Sequence, residues 1–186
     1  IRQRKVKIIN PSINDSHLTY SILDENTLLT GLDALKFIGK SAIPEIIAKR
    51  PFTSFEDFIS RTEGRKIASP AILALAASGC LDSFGMTRKA IFYYAADYKK
   101  KYQLYLKRKN HSEPFVYPWP IETKEEWTPS EKFAMEKFYL GEGLSGNKKE
   151  IYPNFFNSTA VNFAQLAKAF PDSGEKDDKR FLSTIQ

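Results

Sequence analysis

The chain has 186 residues, 42% of them hydrophobic and 27% charged, with a formal net charge of +6 and a sequence pI near 9.2. This balance describes an ordinary soluble globular protein long enough for a good core, and it excludes disorder throughout. The positive excess favours a polyanionic partner, although proteins that bind none also carry excesses of this size.

Cys80 is the single cysteine, so an intrachain disulfide is excluded, which fits a reducing, cytoplasmic setting. His17 and His111 are the only histidines and stand far apart, which argues against a Cys/His metal site. No apolar run reaches the length of about 18 residues that a membrane span needs, and no charged-then-apolar leader is present. The chain opens on Ile1 rather than Met and stops at Gln186 inside a strand-like run, as a piece excised from a longer protein would.

Residues 4–9 and 18–23 are short β-favouring runs, and the turn 24–26 precedes a third run at 27–30. They predict a small antiparallel hairpin or three-stranded patch. Residues 10–16 between the first two runs are a polar loop, which taken alone is a plain connection.

Residues 31–50 predict two short helices around a tight turn. Leu32 and Leu35 precede Gly39, and Ile43, Ile46 and Ile47 follow it at i, i+3 and i+4. Ser41 is the expected N-cap of the second helix, and Pro44 falls at its third position, where a missing N–H costs nothing. Gly39 can take a positive φ and lets another backbone approach closely. Main-chain N–H groups would then point out of the turn beside Lys36 and Lys40, forming an anion site. The plain alternative is an αα-hairpin with surface lysines.

Residues 51–59 predict a third helix capped by Ser54, with Phe52 as a staple and Phe55, Phe58 and Ile59 facing the core. Residues 69–92 repeat the theme: Ser69 and Pro70 start a helix carrying Ile72, Leu73, Leu75 and Ala76, and Gly79 ends it. Residues 80–85 turn the chain into another helix near Thr87, so Gly85, Thr87 and Arg88 are expected where Gly39, Ser41 and the neighbouring cations stand in the first copy. The helix at 87–107 carries a stripe of Ile91, Tyr94, Tyr98, Tyr102 and Tyr105, expected to pack on the body, and cations that include Lys89, Lys99, Lys100 and Lys101. Residues 108–129, with four prolines, Trp119 and Trp127, predict an extended segment pinned by aromatics. A helix at 130–140, a glycine-rich turn at 141–146, a helix near 159–169 and a charged loop at 172–180 complete the chain.

The turn resembles the helix-hairpin-helix motif, hydrophobic-x-x-Gly-hydrophobic-Gly followed by Ala and paired aliphatics. Ile38, Gly39, Ala42, Ile46 and Ile47 fit, whereas Phe37 replaces the first glycine. Several stretches together resemble the alpha subunit of bacterial replicative DNA polymerase III, the C-family polymerases. They are Pro11 to Ser16, Gly31 to Lys36 with Ile38 and Gly39, Pro51 to Phe58, Leu75 to Phe84 with Arg88, and Glu136 to Gly146. Asn147 and Lys148 depart from that family's His-Pro, as in a divergent phage or plasmid member.

The resemblance implies a mainly α fold: a β lead-in over 1–30, a tandem helix-hairpin-helix domain with a long basic helix over 31–107, a Pro/Trp-rich connector with helices over 108–180, and the first strand of an OB-fold at 181–186. It implies non-catalytic, sequence-independent duplex-DNA binding that supports processive synthesis. Lys36, Ile38, Gly39, Lys40, Ser41, Lys49, Arg50, Gly85, Thr87, Arg88 and Lys89 are the expected contacts. It places the catalytic carboxylates and their Mg2+ in a palm upstream, with no cofactor in this segment. Gln103, Leu104 and Leu106 partly match that family's sliding-clamp peptide. A protein-interaction scaffold and a DNA repair factor built on the same hairpins are the other readings.

Overall fold

The computed structural model describes residues 6–108, 113–120 and 124–146. The helix expected near 159–169, the charged loop and the strand at 181 lie outside the described residues, as do Asn147 and Lys148. The described part is mostly helical with a small N-terminal sheet.

Three strands form that sheet: β1 (Lys7–Ile9), β2 (Ser21–Asp24) and β3 (Thr27–Leu29), in the order β1-β3-β2. β2 and β3 make the antiparallel hairpin, with Ser21 opposite Leu29 and a bulge between Ile22 and Asp24. β1 lies parallel to β3, with Lys7 opposite Thr27. β1 and β2 do not pair because the loop between them is anchored elsewhere. Ile13 is fully buried and donates its N–H to the Cys80 carbonyl at 2.9 Å. Asn14 exchanges two hydrogen bonds of 2.8 Å with the main chain of Phe52. The polar loop is therefore a strut between both halves of the helical region.

The helix expected at 32–35 is a single 3₁₀ turn, Leu32–Ala34. Its first N–H groups, on Leu32 and Asp33, donate to the carbonyls of His17 and Leu18. The Lys36 N–H, which would have extended the helix, donates to the Tyr139 carbonyl at 2.9 Å. The second helix, α1 (Ala42–Ala48), places Pro44 third as expected, but the Ser41 side chain makes no capping bond. Ser41 already has helical angles, φ −82° and ψ −18°, whereas a side-chain cap needs an extended backbone.

α2 (Phe55–Arg61) starts at Ser54, whose hydroxyl accepts from the Asp57 N–H at 3.1 Å. Phe55 and Phe58 are fully buried, each contributing about 1.5–3 kcal/mol of burial. α3 (Ser69–Ala77) is the central helix, with Ala71, Ile72, Ala74, Leu75, Ala76 and Ala77 all buried. It is apolar all round because α4 (Arg88–Leu106) packs on one side and α5 (Pro129–Leu140) on another. The stripe on α4 packs on the body: Tyr98 is buried beneath Phe115, Tyr117 and Trp119. Trp127 sits against Phe92, so the aromatics do pin the segment between α4 and α5. Thr128 and Glu131 form a reciprocal capping box at the start of α5.

One buried carboxylate joins these elements. Glu136, on α5, has no solvent exposure. Its Oε1 accepts from Arg88 Nη1 at 2.6 Å, from Asn10 Nδ2 at 2.6 Å and from the Ser145 hydroxyl. Its Oε2 accepts from the N–H groups of Leu144 and Ser145 at 2.7 and 2.6 Å. Burial alone would raise its pKa, but the bonds from Ser145, Arg88 and Asn10 outweigh it and the net shift is downward. Arg88 also forks onto Asp82, at 2.9 and 2.7 Å. Gly79, at φ +81°, leaves room for that guanidinium, since a Cβ there would lie 2.3 Å from Arg88 Nη2. Cys80 is buried nearby, and burial pushes its thiol pKa up.

Replacing Glu136 by Ala leaves a buried guanidinium short of one partner, a change that costs roughly 3–5 kcal/mol. Urea unfolding followed by circular dichroism should show a loss of this order for Glu136→Ala, and a much smaller one for Glu131→Ala in the exposed capping box.

Candidate nucleic-acid interface

The corner of the first hairpin runs from Lys36 to Ser41. Lys36, Phe37, Gly39, Lys40 and Ser41 are exposed, while Ile38 is half-buried against both apolar clusters. Ile38 thus tethers the corner to the body. A Cβ added at Gly39 would meet nothing within 4 Å, so space is open in front of the main chain there. Among the described residues, no hydrogen bond uses the N–H of Gly39, Lys40 or Ser41. No carboxylate among the described residues pairs with Lys36 or Lys40.

The left-handed residue of this corner is Phe37, at φ +65°, and not Gly39. The chain reverses at the position where the helix-hairpin-helix pattern has its first glycine. For a bulky residue such a conformation costs of order 1–3 kcal/mol and persists only when surroundings enforce it. Those surroundings are at the end of α5. Phe37 stacks on Phe138, with centroids 6.1 Å apart and rings 22° from parallel, and meets Tyr139 edge-on at 5.9 Å. The Lys36 ammonium stands 5.7 Å from the centre of the Phe138 ring.

The second corner differs. Gly85 is its exposed left-handed residue, at φ +71°. Thr87 caps α4, its hydroxyl accepting from the Ala90 N–H at 3.1 Å. Arg88 stands next in sequence but points inward, committed to Asp82 and Glu136. The half-buried Lys89 pairs through its ammonium with the exposed Glu125 at 3.1 Å. By backbone conformation, Gly85 corresponds to Phe37 and not to Gly39.

Lys49 and Arg50 lie behind the first hairpin. Lys49 pairs with Glu45 at 2.7 Å, and Arg50 reaches the Ser16 carbonyl. Burial lowers the pKa of Arg50, and its Nε is buried with no hydrogen-bond partner among the described residues. Of the cations on α4, Lys99 is turned to the carbonyls of Gly64 and Ile67, and Lys101 pairs with Asp97. Lys100, with Lys107 and Arg108 just beyond the end of α4, remains exposed. The three residues of the clamp-like peptide do not share a face. Gln103 and Leu106 line one shallow pocket with Ile59 and Thr62, whereas Leu104 lines another with Tyr105, Phe115 and Val116.

Glu45 was not singled out from sequence, yet it holds α1 in place. Its carboxylate accepts from the Lys49 and Lys66 ammonium groups and from the Glu63 N–H, the last two at 3.0 Å. These bonds, that from Lys49 first, lower its pKa from 4.5 to about 2. Only the i, i+4 spacing of Glu45 and Lys49 hinted at this role. No group of three or more His, Cys, Asp or Glu residues is placed to hold a metal among the described residues.

A folded pKa below the unfolded one gives a stabilisation that is complete above the unfolded pKa and lost as the pH falls through the folded one. Acid unfolding of the wild type should therefore show stability draining away below about pH 5, and Glu45→Gln should flatten that part of the profile. A profile for Glu45→Gln that superimposes on the wild type would remove the carboxylate from this role.

Residues 5–91 match a family model described as the helix-hairpin-helix motif. A probable DNA polymerase of Bacillus subtilis is 37% identical over 87 residues, 46% of this chain and 7% of that protein. The DNA polymerase III subunit alpha of Helicobacter pylori is 33% identical over 102 residues, 49% of this chain and 8% of that protein. That of Aquifex aeolicus is 28% identical over 150 residues, 78% of this chain and 12% of that protein. The chain thus spans only a small part of the length of these relatives. The chain is thus similar to the alpha subunit of bacterial DNA polymerase III, and its residues 5–91 are similar to the helix-hairpin-helix family.

Proposed function

We propose that this chain is the duplex-DNA-binding region of a replicative DNA polymerase, gripping the sugar-phosphate backbone without sequence preference and so supporting processive synthesis. The observation that carries the reading is the open corner at residues 36–41, where among the described residues the N–H groups of Gly39, Lys40 and Ser41 are unclaimed and Lys36 and Lys40 pair with no carboxylate. α1 has only seven residues, so its dipole adds little, and the amides of Gly39, Lys40 and Ser41 with the ammonium groups of Lys36 and Lys40 do the work. The second corner contributes Gly85 and the start of α4, with Lys100, Lys107 and Arg108 as further sources of positive field. Lys49, Arg50 and Arg88 support the corners from behind. The parent is an enzyme, a DNA-directed DNA polymerase of the cytoplasm, whose chemistry and Mg2+ belong to a palm outside this segment. No helix among the described residues is long and apolar enough to cross a membrane.

A second reading, a docking segment for a sliding clamp, draws on the exposure of Leu104 and Leu106, 54% each, and of Val116, 78%. Retention of the wild type but not of Leu104→Ala on immobilised clamp would favour it.

Binding through phosphates releases counterions, so affinity should fall steeply between about 50 and 200 mM salt and barely change between scrambled duplexes. Fluorescence anisotropy measures both. Reversing Lys36 and Lys40 to Glu should cut duplex affinity while circular dichroism stays that of the wild type. An unchanged dissociation constant in that variant would remove the first hairpin from the interface.

A further inference from the structure

Phe37 and Phe138 remain 58% and 56% exposed although their rings stack on each other. Two large aromatic side chains left together on a surface mark a site that meets something. Their setting narrows what that is. Lys36 stands over the Phe138 ring and Lys40 is exposed in the same corner, neither pairing with a described carboxylate, so the surroundings suit an anionic strand. The structure also holds Phe37 here in a left-handed conformation that glycine adopts without strain, so the ring is kept at a cost to the backbone.

Apolar rings in a corner whose ammonium groups pair with no described carboxylate fit a ligand that is anionic at its phosphates and flat and apolar between them. Bases inside a duplex offer no free face, because each is covered by its neighbours. An unpaired nucleotide does, and aromatic side chains stack on any base because every base has a π-face. We infer that Phe37 and Phe138 form a stacking platform for an unpaired base where duplex passes into single strand, beside the corner that holds the backbone. This inference rests on the DNA-binding reading above and adds to it a preference for junctions. Tyr139 meets the Phe37 ring edge-on and is itself buried, so it supports the platform from below.

The test compares three DNAs by fluorescence anisotropy at one salt concentration: a blunt duplex, the same duplex with a short single-stranded extension, and the same duplex with an abasic extension of equal length. The two extensions carry the same phosphates and differ only in having bases. The wild type should bind the base-bearing extension about tenfold more tightly than the abasic one, the magnitude of stacking one base. Phe138→Ala should abolish that gain and leave the blunt duplex within about twofold of the wild type, while Phe138→Trp keeps it. Phe37→Gly, which suits the left-handed backbone, should stay folded by circular dichroism and also lose the gain.

Equal binding of base-bearing and abasic extensions by the wild type would overturn the platform and leave the backbone reading standing. A parallel loss on all three DNAs in Phe138→Ala would overturn it too, by making the ring a duplex contact. Sedimentation in which Phe138→Ala dissolves a self-associated wild type, with no effect on DNA, would instead assign the rings to contact between copies. Failure of the wild type to bind any of the three DNAs would bring down the backbone reading itself.

Discussion

The fold depends on a carboxylate with no solvent exposure. Glu136 draws five donors to its two oxygens, and those donors come from the end of β1, the start of α4 and the turn after α5. A buried charge is tolerable only when its hydrogen-bonding capacity is filled, so these elements are held in one mutual arrangement. Asn10 extends the network to the Ser78 carbonyl beyond the end of α3. Arg88 extends it to Asp82 in the second turn. A change in any of these elements is felt by the others through a single group.

That arrangement explains how a short α1 can present a defined corner. Seven residues of helix are marginal alone. Here the helix is clamped at Glu45 to Lys66 and the Glu63 N–H, and the corner before it is fastened to the end of α5 by the Lys36 N–H. α5 is itself seated by Glu136. The exposed residues of the corner therefore ride on a rigid base, and rigidity is what lets main-chain donors face a ligand without reordering.

Much of this was legible in the chain. The period of apolar residues places α1, α2, α3 and α4, and Ser54 and Thr87 cap where their side chains suggest. The stripe from Ile91 to Tyr105 packs inward as its spacing implies. The glycine-bearing corner is legible, but glycine's freedom favours Gly39 for the left-handed turn that Phe37 makes. Propensity argues for glycine at such a place, and only the contacts of Phe37 with Phe138 and Tyr139, a hundred residues on, override it. For the same reason Arg88, Lys99 and Lys49 could not be sorted from Lys40 and Lys100 in advance. A cation's partners lie on other elements, and sequence records its charge but not its direction. Glu136 was visible as part of a motif, while its duty as the meeting point of three elements appears only when Asn10 and Arg88 are brought to it. The Thr128 and Glu131 pair is a readable start signal, and it sets the start of α5 at Pro129, one residue before the expected 130.

The sealed environment of Cys80 has a practical side. As the single thiol in the chain, shut in the core and with its pKa pushed up by burial, it leaves the folded molecule chemically silent toward thiol reagents. Any cysteine placed on an outward position such as Lys40 therefore becomes a unique attachment point, for a dye, a spin label or a cross-linker. The protein already provides the clean background that such probes ordinarily require mutagenesis to create.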